Sequence, residues 1–173
     1  MAKAFIGIGS NLGDRQAHLA MARAELAALP RTTLAAFSPV YETAPLGPVG
    51  QGAFLNAAAR LETELDPYDL LDALQAIEAK AGREPPEKRR KWGPRVLDLD
   101  ILLYDNRVVS GDDLVIPHPM MHERWFVLRP LADLAPRLVH PVLEMTIGDL
   151  LLYVEQNDPA QTPRPKNSGL PGL

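Results

Sequence analysis

Hydrophobic and polar positions along the amino-terminal part of the chain predict alternating strands and helices. A buried strand is predicted over 3–8, and a glycine-containing turn over 9–14 follows it. A helix is predicted over 15–29, because apolar residues recur there at intervals of three and four until Pro30 ends the run. Residues 32–43 then form a β-rich segment. This part of the chain therefore predicts a strand, a helix and further β-structure.

The middle of the chain combines one irregular segment with two strong element signals. Residues 44–52 contain two prolines and three glycines, which predicts a shaped loop. Alternating apolar positions over 54–62 predict a strand. Asp66 is a suitable helix cap before a proline, and Gly82 is a suitable stop, so a helix is predicted over 67–81.

The remainder of the chain begins with a polar connection over 83–95. A fourth strand is predicted over 96–104, with strict alternation in its first half. A hairpin around Asp105 and Asn106 is predicted over 104–109. Short helical patterns lie within 119–152, and the proline-rich and glycine-rich residues from 158 onward predict a tail.

The order strand, helix, strand, strand, helix, strand predicts an α+β fold with a ferredoxin-like βαββαβ antiparallel sheet. An extra hairpin and short C-terminal helices are expected to follow it. Two right-handed crossovers would place both helices on one sheet face and leave the other face for ligands. We expect a single catalytic domain over 1–157 and a tail over 158–173.

Composition narrows the chemistry that the chain can perform. The 173 residues include no cysteine, which excludes disulfides, thiolate nucleophiles and iron–sulfur clusters, so any metal must be held by oxygen or imidazole. A formal net charge of −4 disfavours general nucleic-acid binding. No apolar run approaches the roughly 20 residues of a membrane helix, and no signal-peptide pattern is present. We therefore expect a cytoplasmic protein with no membrane partner.

Asp98 and Asp100 form the most suggestive pair of acidic residues. Side chains alternate along a strand, so these two carboxylates share a face and lie about 7 Å apart. Magnesium commonly joins one or two carboxylates to substrate phosphates. The alternative is a solvated face of a half-exposed strand, and spacing alone favours that alternative.

A basic connection directly precedes this acidic pair. It carries six of the eighteen basic residues of the chain, namely Arg83, Lys88, Arg89, Arg90, Lys91 and Arg95. Opposite charges side by side suit a bound metal–polyphosphate. A salt-bridged surface loop is an equally good interpretation of the charges alone.

Three further residues could reach the same site. Gln75 and Glu78 lie three apart on one helix face, and His118 is fixed between two prolines as a potential phosphate donor. An ordinary exposed helix face and a structural histidine remain the alternatives. The chain has no Walker A sequence, and the loose glycine pattern over 7–13 lacks the acidic residue of a dinucleotide-binding unit.

Several short motifs, taken together, resemble the 6-hydroxymethyl-7,8-dihydropterin pyrophosphokinase family. The most specific is Trp-Gly-Pro-Arg-Val-Leu-Asp-Leu-Asp-Ile over 92–101. The others, in matching order, are 9–13, 41–47, 54–57, Glu78 with 82–83, and 117–119 with Arg124. The resemblance covers about residues 4–135.

The resemblance implies an ATP-dependent enzyme of folate biosynthesis. It would transfer the diphosphate of ATP to the pterin hydroxymethyl group and release AMP, with two Mg²⁺ ions. Asp98 and Asp100 would hold the metal and act in catalysis with Arg83 and Arg95. The implied ATP-binding residues are Gln75, Glu78, Arg83, Lys91, Trp92, Arg95, His118 and Arg124. The implied pterin-binding residues are Asn11, Thr43, Ala44, Leu46, Phe54, Asn56, Trp92 and Phe126.

Some details depart from the family pattern or stay open. Lys91 stands where an arginine is common, which keeps the charge but loses a forked contact. The longer 83–95 connection leaves open which of Arg89 and Arg90 contacts phosphate. The rival functions are a single-stranded RNA-binding module, which shares the βαββαβ order, and a regulatory domain that binds a metabolite without turnover. A monomer is expected, with weak homodimerisation left open.

Overall fold

The computed structural model describes residues 1–43, 53–82 and 96–163. The strands of this part of the chain are β1 (Ala2–Ser10), β2 (Thr32–Phe37), β3 (Tyr41–Thr43), β4 (Phe54–Thr63), β5 (Asp98–Tyr104), β6 (Val109–Ser110) and β7 (Val115–Ile116). The helices are α1 (Arg15–Ala27), α2 (Pro67–Lys80), α3 (Trp125–Leu134) and α4 (Ile147–Asn157), with 3₁₀ turns at Met121–Glu123 and Pro159–Gln161.

The main sheet has the strand order β2-β4-β1-β5, and β3 also pairs with β4. Every neighbouring pair in it is antiparallel. Strands β6 and β7 form a separate two-stranded sheet. The prediction of an α+β protein built on an antiparallel sheet is confirmed. Strand β1 continues to Ser10, so the prediction that residues 9 and 10 belong to a turn is wrong.

The first two helices begin at the predicted residues, and a side chain caps each of them. The Asp14 side chain accepts the Ala17 N–H (3.1 Å) at the start of α1, and the Asp66 side chain accepts the Asp69 N–H (2.9 Å) at the start of α2. Pro67 occupies the first turn of α2, where its missing N–H costs no hydrogen bond. No helix of the described residues is long and apolar enough to cross a membrane.

Helices α1 and α2 cover one face of the main sheet and enclose the first core. Apolar residues from three central strands and both helices share this core. Its larger members are Ile6, Ile8, Leu19, Leu26, Leu55, Leu61, Leu70, Leu74, Leu99 and Ile101. Burial of such side chains is the main stabilising term of the fold.

Helices α3 and α4 pack over part of the opposite sheet face and form the second core. Its members include Phe5, Ala58, Leu102, Leu103, Trp125, Leu128, Leu131, Leu150 and Val154. The prediction that this face is left for ligands is therefore wrong for the region around Phe5 and Leu102. These apolar side chains point to this face and need cover from water.

One irregularity in β5 decides which face its side chains occupy. Phe5 pairs with Leu103 and Ile6 pairs with Ile101, so Leu102 has no partner on β1. An extra residue of this kind is a β-bulge, and it reverses the alternation of side chains beyond it.

The predicted hairpin over 104–109 is also wrong. A turn does follow Tyr104, but the next strand pairs with β7 and not with β5. Asp105 instead closes onto the start of β1: its N–H donates to Lys3 O (2.8 Å), and its carboxylate accepts the Lys3 N–H (2.7 Å). These bonds direct the chain away from β5.

Ser38 fills the break between β2 and β3. Its N–H donates to Ala58 O (2.8 Å), and its hydroxyl accepts the Ala58 N–H (2.8 Å). Both residues are buried. The hydroxyl therefore replaces a strand–strand hydrogen bond beside the middle of β4.

We predict that Ser38→Ala lowers the free energy of unfolding by about 1–3 kcal/mol, because the buried Ala58 N–H loses its acceptor. Urea denaturation measures the change. Ser110→Ala, at an exposed serine, is the control and should stay within about 0.5 kcal/mol of the parent. Equal stability of the two variants would contradict this role for Ser38.

Candidate active site

Asp98 and Asp100 lie at the start of β5, on the part of the second face beyond the second core. The residues between and beside them, Leu97 and Leu99, are buried in the first core, so the two half-buried acids project to the opposite face. Across β1, Asp98 is paired with Gly9 and Asp100 with Gly7. The neighbouring strand therefore places no side chain beside either carboxylate.

His118 stands next to this acidic pair. Its Nε2 lies 4.0 Å from Asp100 Oδ2, and its backbone N–H donates to Leu102 O (3.0 Å). Its Nδ1 accepts the Met120 N–H (3.3 Å), so a neutral imidazole carries its proton on Nε2. Burial, and then the charge of Arg124, lower the pKa of His118 below its ordinary 6.5, whereas Asp98 acts in the opposite direction. The side chain is therefore a neutral donor at neutral pH.

Arg124 and Phe126 lie at the beginning of α3. The Arg124 guanidinium is 5.8 Å from the centre of the Phe126 ring, within the range of a cation–π contact. The charge of Arg124 also lowers the pKa of His118. A fixed positive charge that acts on His118 and a flat apolar ring thus lie together at the beginning of α3.

Asn56 and Thr43 form a buried polar pair on β4 and β3. Asn56 Nδ2 donates to Thr43 Oγ1 (2.9 Å), and the two residues are 5% and 7% exposed. Gly9 of β1 is paired with Asn56 of β4 on one side and with Asp98 of β5 on the other. Two strand spacings therefore separate Asn56 from Asp98, or about 10 Å between their backbones. The half-buried Phe54 is the first residue of β4 and is paired with Thr43.

Glu78 is buried, although the helix pattern favoured an exposed polar face. It is 4% exposed, and its Oε2 accepts the Leu99 N–H (2.9 Å) between the two acids of β5. Gln75, on the same helix, is exposed. The interpretation of both residues as an ordinary exposed face is wrong for Glu78. Its carboxylate is buried because it accepts the backbone N–H of Leu99, which would otherwise lack a partner.

The remaining predicted site residues are accounted for as follows. Asn11 directly follows β1 and is buried. Six predicted residues lie outside the described part of the chain, namely Ala44, Leu46, Arg83, Lys91, Trp92 and Arg95. The alternatives Arg89 and Arg90 lie outside it too.

Two residues near the site, Arg15 and Gly9, were not among the predicted site residues. Arg15 Nη1 donates to Ala53 O (2.7 Å) and lies 3.8 Å from Glu42 Oε1. One guanidinium therefore contacts residues on both sides of the segment 44–52. No sequence signal indicates this contact. Gly9 lies within β1, and glycine in a strand interior is a signal that a ligand or another backbone approaches closely.

The donor set suits a hard divalent cation that substrate oxygens would help to hold. Within 1–43, 53–82 and 96–163, no group of three or more His, Asp or Glu side chains converges on a common point. Two carboxylates on one face are nevertheless the usual protein contribution to a magnesium–phosphate site. Asp98 and Asp100 fit that chemistry.

A family model described as 7,8-dihydro-6-hydroxymethylpterin-pyrophosphokinase (HPPK) matches residues 5–136. The chain belongs to the HPPK family. This confirms the family predicted from the motifs and its class of enzyme, an ATP-dependent pyrophosphokinase. An RNA-binding module and a non-catalytic regulatory domain are correspondingly disfavoured.

Bacterial relatives carry the same family name. A 2-amino-4-hydroxy-6-hydroxymethyldihydropteridine pyrophosphokinase of Methylorubrum extorquens is 48% identical over 139 residues, which are 80% of this chain and 86% of the relative. The protein of that name from Pseudomonas aeruginosa is 47% identical over 80% of this chain and 84% of its own. The one from Bacillus subtilis is 42% identical over 78% and 79%, respectively.

Solved structures show the same fold in longer chains. A Plasmodium falciparum protein described as wild-type HPPK-DHPS with pteroate has a TM-score of 0.72 and 15% identity. The match covers 92% of this chain and 45% of that one, so the chain spans less than half the length of this solved relative. At this identity the likeness supports the HPPK fold alone.

We predict that Glu78→Ala lowers the free energy of unfolding by about 1–3 kcal/mol, because the buried Leu99 N–H loses its acceptor. Gln75→Ala, three residues earlier on the same helix, is the matched exposed control and should change it by less than about 0.5 kcal/mol. Urea denaturation of both variants measures the difference. A larger loss in the Gln75 variant would contradict the contact between Glu78 and β5.

Proposed function

We propose that this chain transfers the diphosphate group of ATP to the hydroxymethyl oxygen of 6-hydroxymethyl-7,8-dihydropterin and releases AMP, as a step of folate biosynthesis. The observation that carries the proposal is the strand register Asn56–Gly9–Asp98. In this register the Asn56 amide, which can bind a heterocycle, and the Asp98 carboxylate, which can bind a metal ion, lie on the two sides of Gly9, which has no side chain. Family membership supports the same conclusion.

Asp98 and Asp100 would hold two Mg²⁺ ions together with the phosphate oxygens. When bound, Mg²⁺ neutralises charge on the phosphates and polarises the phosphorus that is attacked. The two carboxylates share a face and have no side chain beside them on β1, which supports this role. They would also align the polyphosphate with the open part of the sheet, which is the part of the second face that the second core does not cover.

His118 and Arg124 would contact the phosphates from the opposite side. The neutral imidazole offers the proton on Nε2 near Asp100, and Arg124 offers a fixed positive charge with forked donors. We propose that the other nucleotide contacts come from Gln75 and Glu78 on α2, and from the basic segment before β5. The residues of that segment are Arg83, Lys91, Trp92 and Arg95, of which Arg83 and Arg95 would also stabilise the transferring group.

The pterin ring would lie beside the polar pair of Asn56 and Thr43. Because Asn56 Nδ2 donates to Thr43, its Oδ1 is the group oriented to accept the N–H groups of a pterin edge. Phe54 and Phe126 offer flat apolar faces for the ring. The further residues proposed for this pocket are Asn11, Ala44, Leu46 and Trp92.

The reaction forms a bond between the hydroxymethyl oxygen and the β-phosphorus of ATP. It breaks the bond from that phosphorus to the oxygen that bridges to the α-phosphorus, and this oxygen leaves with AMP. The hydroxyl proton passes to solvent, with Asp98 as the alternative acceptor. The protein contributes alignment and charge neutralisation, which are the main requirements of phosphoryl-type transfer.

We also propose the finer architecture in which this site sits. The β1-α1-β2 and β4-α2-β5 crossovers, with antiparallel neighbours in the order β2-β4-β1-β5, support a ferredoxin-like sheet. Residues 1–157 would form one catalytic domain, followed by a tail over 158–173. We propose a monomer as the working unit.

We predict that Asp98→Asn and Asp100→Asn each lower the rate of AMP release at least about 100-fold, because loss of metal-bridged charge stabilisation costs several kcal/mol. AMP is measured after mixing ATP and Mg²⁺ with and without the reduced pterin. The amide keeps the size of the carboxylate, so unfolding is not expected.

Asp112→Asn serves as the control, because Asp112 is exposed and lies in the connection between β6 and β7. Its turnover should match that of the parent. AMP release that does not depend on the pterin would overturn the proposed reaction. Near-normal turnover of either β5 variant would overturn the metal assignment alone.

A further inference from the structure

Gly9 is a glycine in the interior of the central strand, where the backbone gives no reason for one. It lies in β1 between two hydrogen-bonded neighbours, β4 and β5. Glycine in such a place weakens a strand, because it adds conformational entropy to the unfolded chain and packs no side chain. Its backbone is outside the left-handed region, so an L-residue could adopt the same conformation. The constraint on this position is therefore space.

The atom that limits the space at Gly9 belongs to Asn56. A Cβ atom at position 9 would lie 3.2 Å from Asn56 Oδ1, whereas Leu55 O and Phe54 Cδ1 would both be 3.9 Å away, at ordinary contact. The amide oxygen would have to move by a few tenths of an ångström.

Asn56 has little freedom to make that movement. Its Nδ2 is held by Thr43 Oγ1 at 2.9 Å, and both residues are buried. Thr43 is itself fixed by strand pairing opposite Phe54. A shift or rotation of the amide therefore lengthens the bond to Thr43 or turns Oδ1 away from the space above Gly9.

We propose that Gly9 is a positioning residue for the pterin substrate. Its missing side chain keeps the Asn56 amide in the orientation in which Nδ2 contacts Thr43 and Oδ1 faces the open part of the sheet. This inference rests on the proposed function, since it takes Asn56 Oδ1 as the acceptor for the pterin edge. It adds that the selectivity of the pocket depends on a residue that contributes no atom beyond its backbone.

Gly7 offers a matched comparison on the same strand and face. A Cβ atom there would also meet a neighbour at 3.2 Å, but that neighbour is Cδ2 of Leu102. Leu102 belongs to the second core, and the end of its side chain can rotate. Gly7→Ala therefore introduces the same crowding without touching Asn56.

The test measures binding of 6-hydroxymethylpterin to the full chain in the presence of Mg²⁺ and α,β-methylene-ATP, whose bridging carbon prevents transfer. Gly9→Ala is expected to weaken pterin binding about tenfold, equivalent to one lost or distorted hydrogen bond. Affinity for the nucleotide and the thermal midpoint should not fall. Gly7→Ala should leave pterin affinity unchanged.

A double variant separates action through Asn56 from a general effect. In an Asn56→Ala background, Gly9→Ala should cause no further loss of pterin affinity, because the two positions act through one amide. If Gly9→Ala alone does not fold, the double variant should fold, since the crowded atom is gone. A double variant that is unfolded, or one with additive losses, overturns the inference.

The outcomes also distinguish this inference from the proposed function. Failure of the parent chain to bind the pterin overturns the proposed function, and the inference falls with it. Normal binding by the parent together with equal binding by Gly9→Ala overturns the inference alone. An equal loss of nucleotide and pterin affinity in Gly9→Ala likewise overturns it, because that pattern indicates a general distortion of the sheet.

Discussion

The unpaired residue Leu102 in β5 determines which way the site carboxylates point. Side chains alternate along a strand, so a shift of one residue moves every later side chain to the other face. Tyr104 and Ile101 both belong to the first core, which requires one extra residue between them. Without it, a strand that keeps Tyr104 inside would direct Asp98 and Asp100 into the apolar layer beneath α1 and α2. Burying two unpaired charges there would cost more free energy than the fold could offset.

The same bulge also positions His118 in the site. Leu102 O lies outside the ladder with β1 and accepts the His118 N–H, which fixes the imidazole beside Asp100. Glu78 fixes the Leu99 N–H between the two acids. Groups from outside the main sheet thus hold the β5 backbone at both Leu99 and Leu102. Preorganisation of this kind is what phosphoryl-type transfer requires from a protein, since covalent help from side chains is small.

Local patterns predicted the parts of this arrangement that depend on neighbours in sequence. The Asp66 cap of α2, the positions of the main strands and the shared face of Asp98 and Asp100 follow from local patterns, and the motif over 92–101 indicated the family. The bulge could not be predicted, because three successive apolar residues after Ile101 do not mark which one is extra. The burial of Glu78 and the role of Gly9 depend on strands distant in sequence, so helix or strand periodicity carries no signal for them. The packing of α3 and α4 over the second face could not be predicted for the same reason, since it depends on contacts between residues distant in sequence.

The most direct measurement is a structure of the chain with Mg²⁺, α,β-methylene-ATP and 6-hydroxymethylpterin bound. We predict that carboxylate oxygens of both Asp98 and Asp100 lie about 2.0–2.1 Å from metal ions that also hold the phosphates. We also expect the pterin edge on Asn56 Oδ1, with the hydroxymethyl arm directed toward the β-phosphorus. Metal ions held by other residues, or a pterin on the far side of β5, would contradict this arrangement of the site.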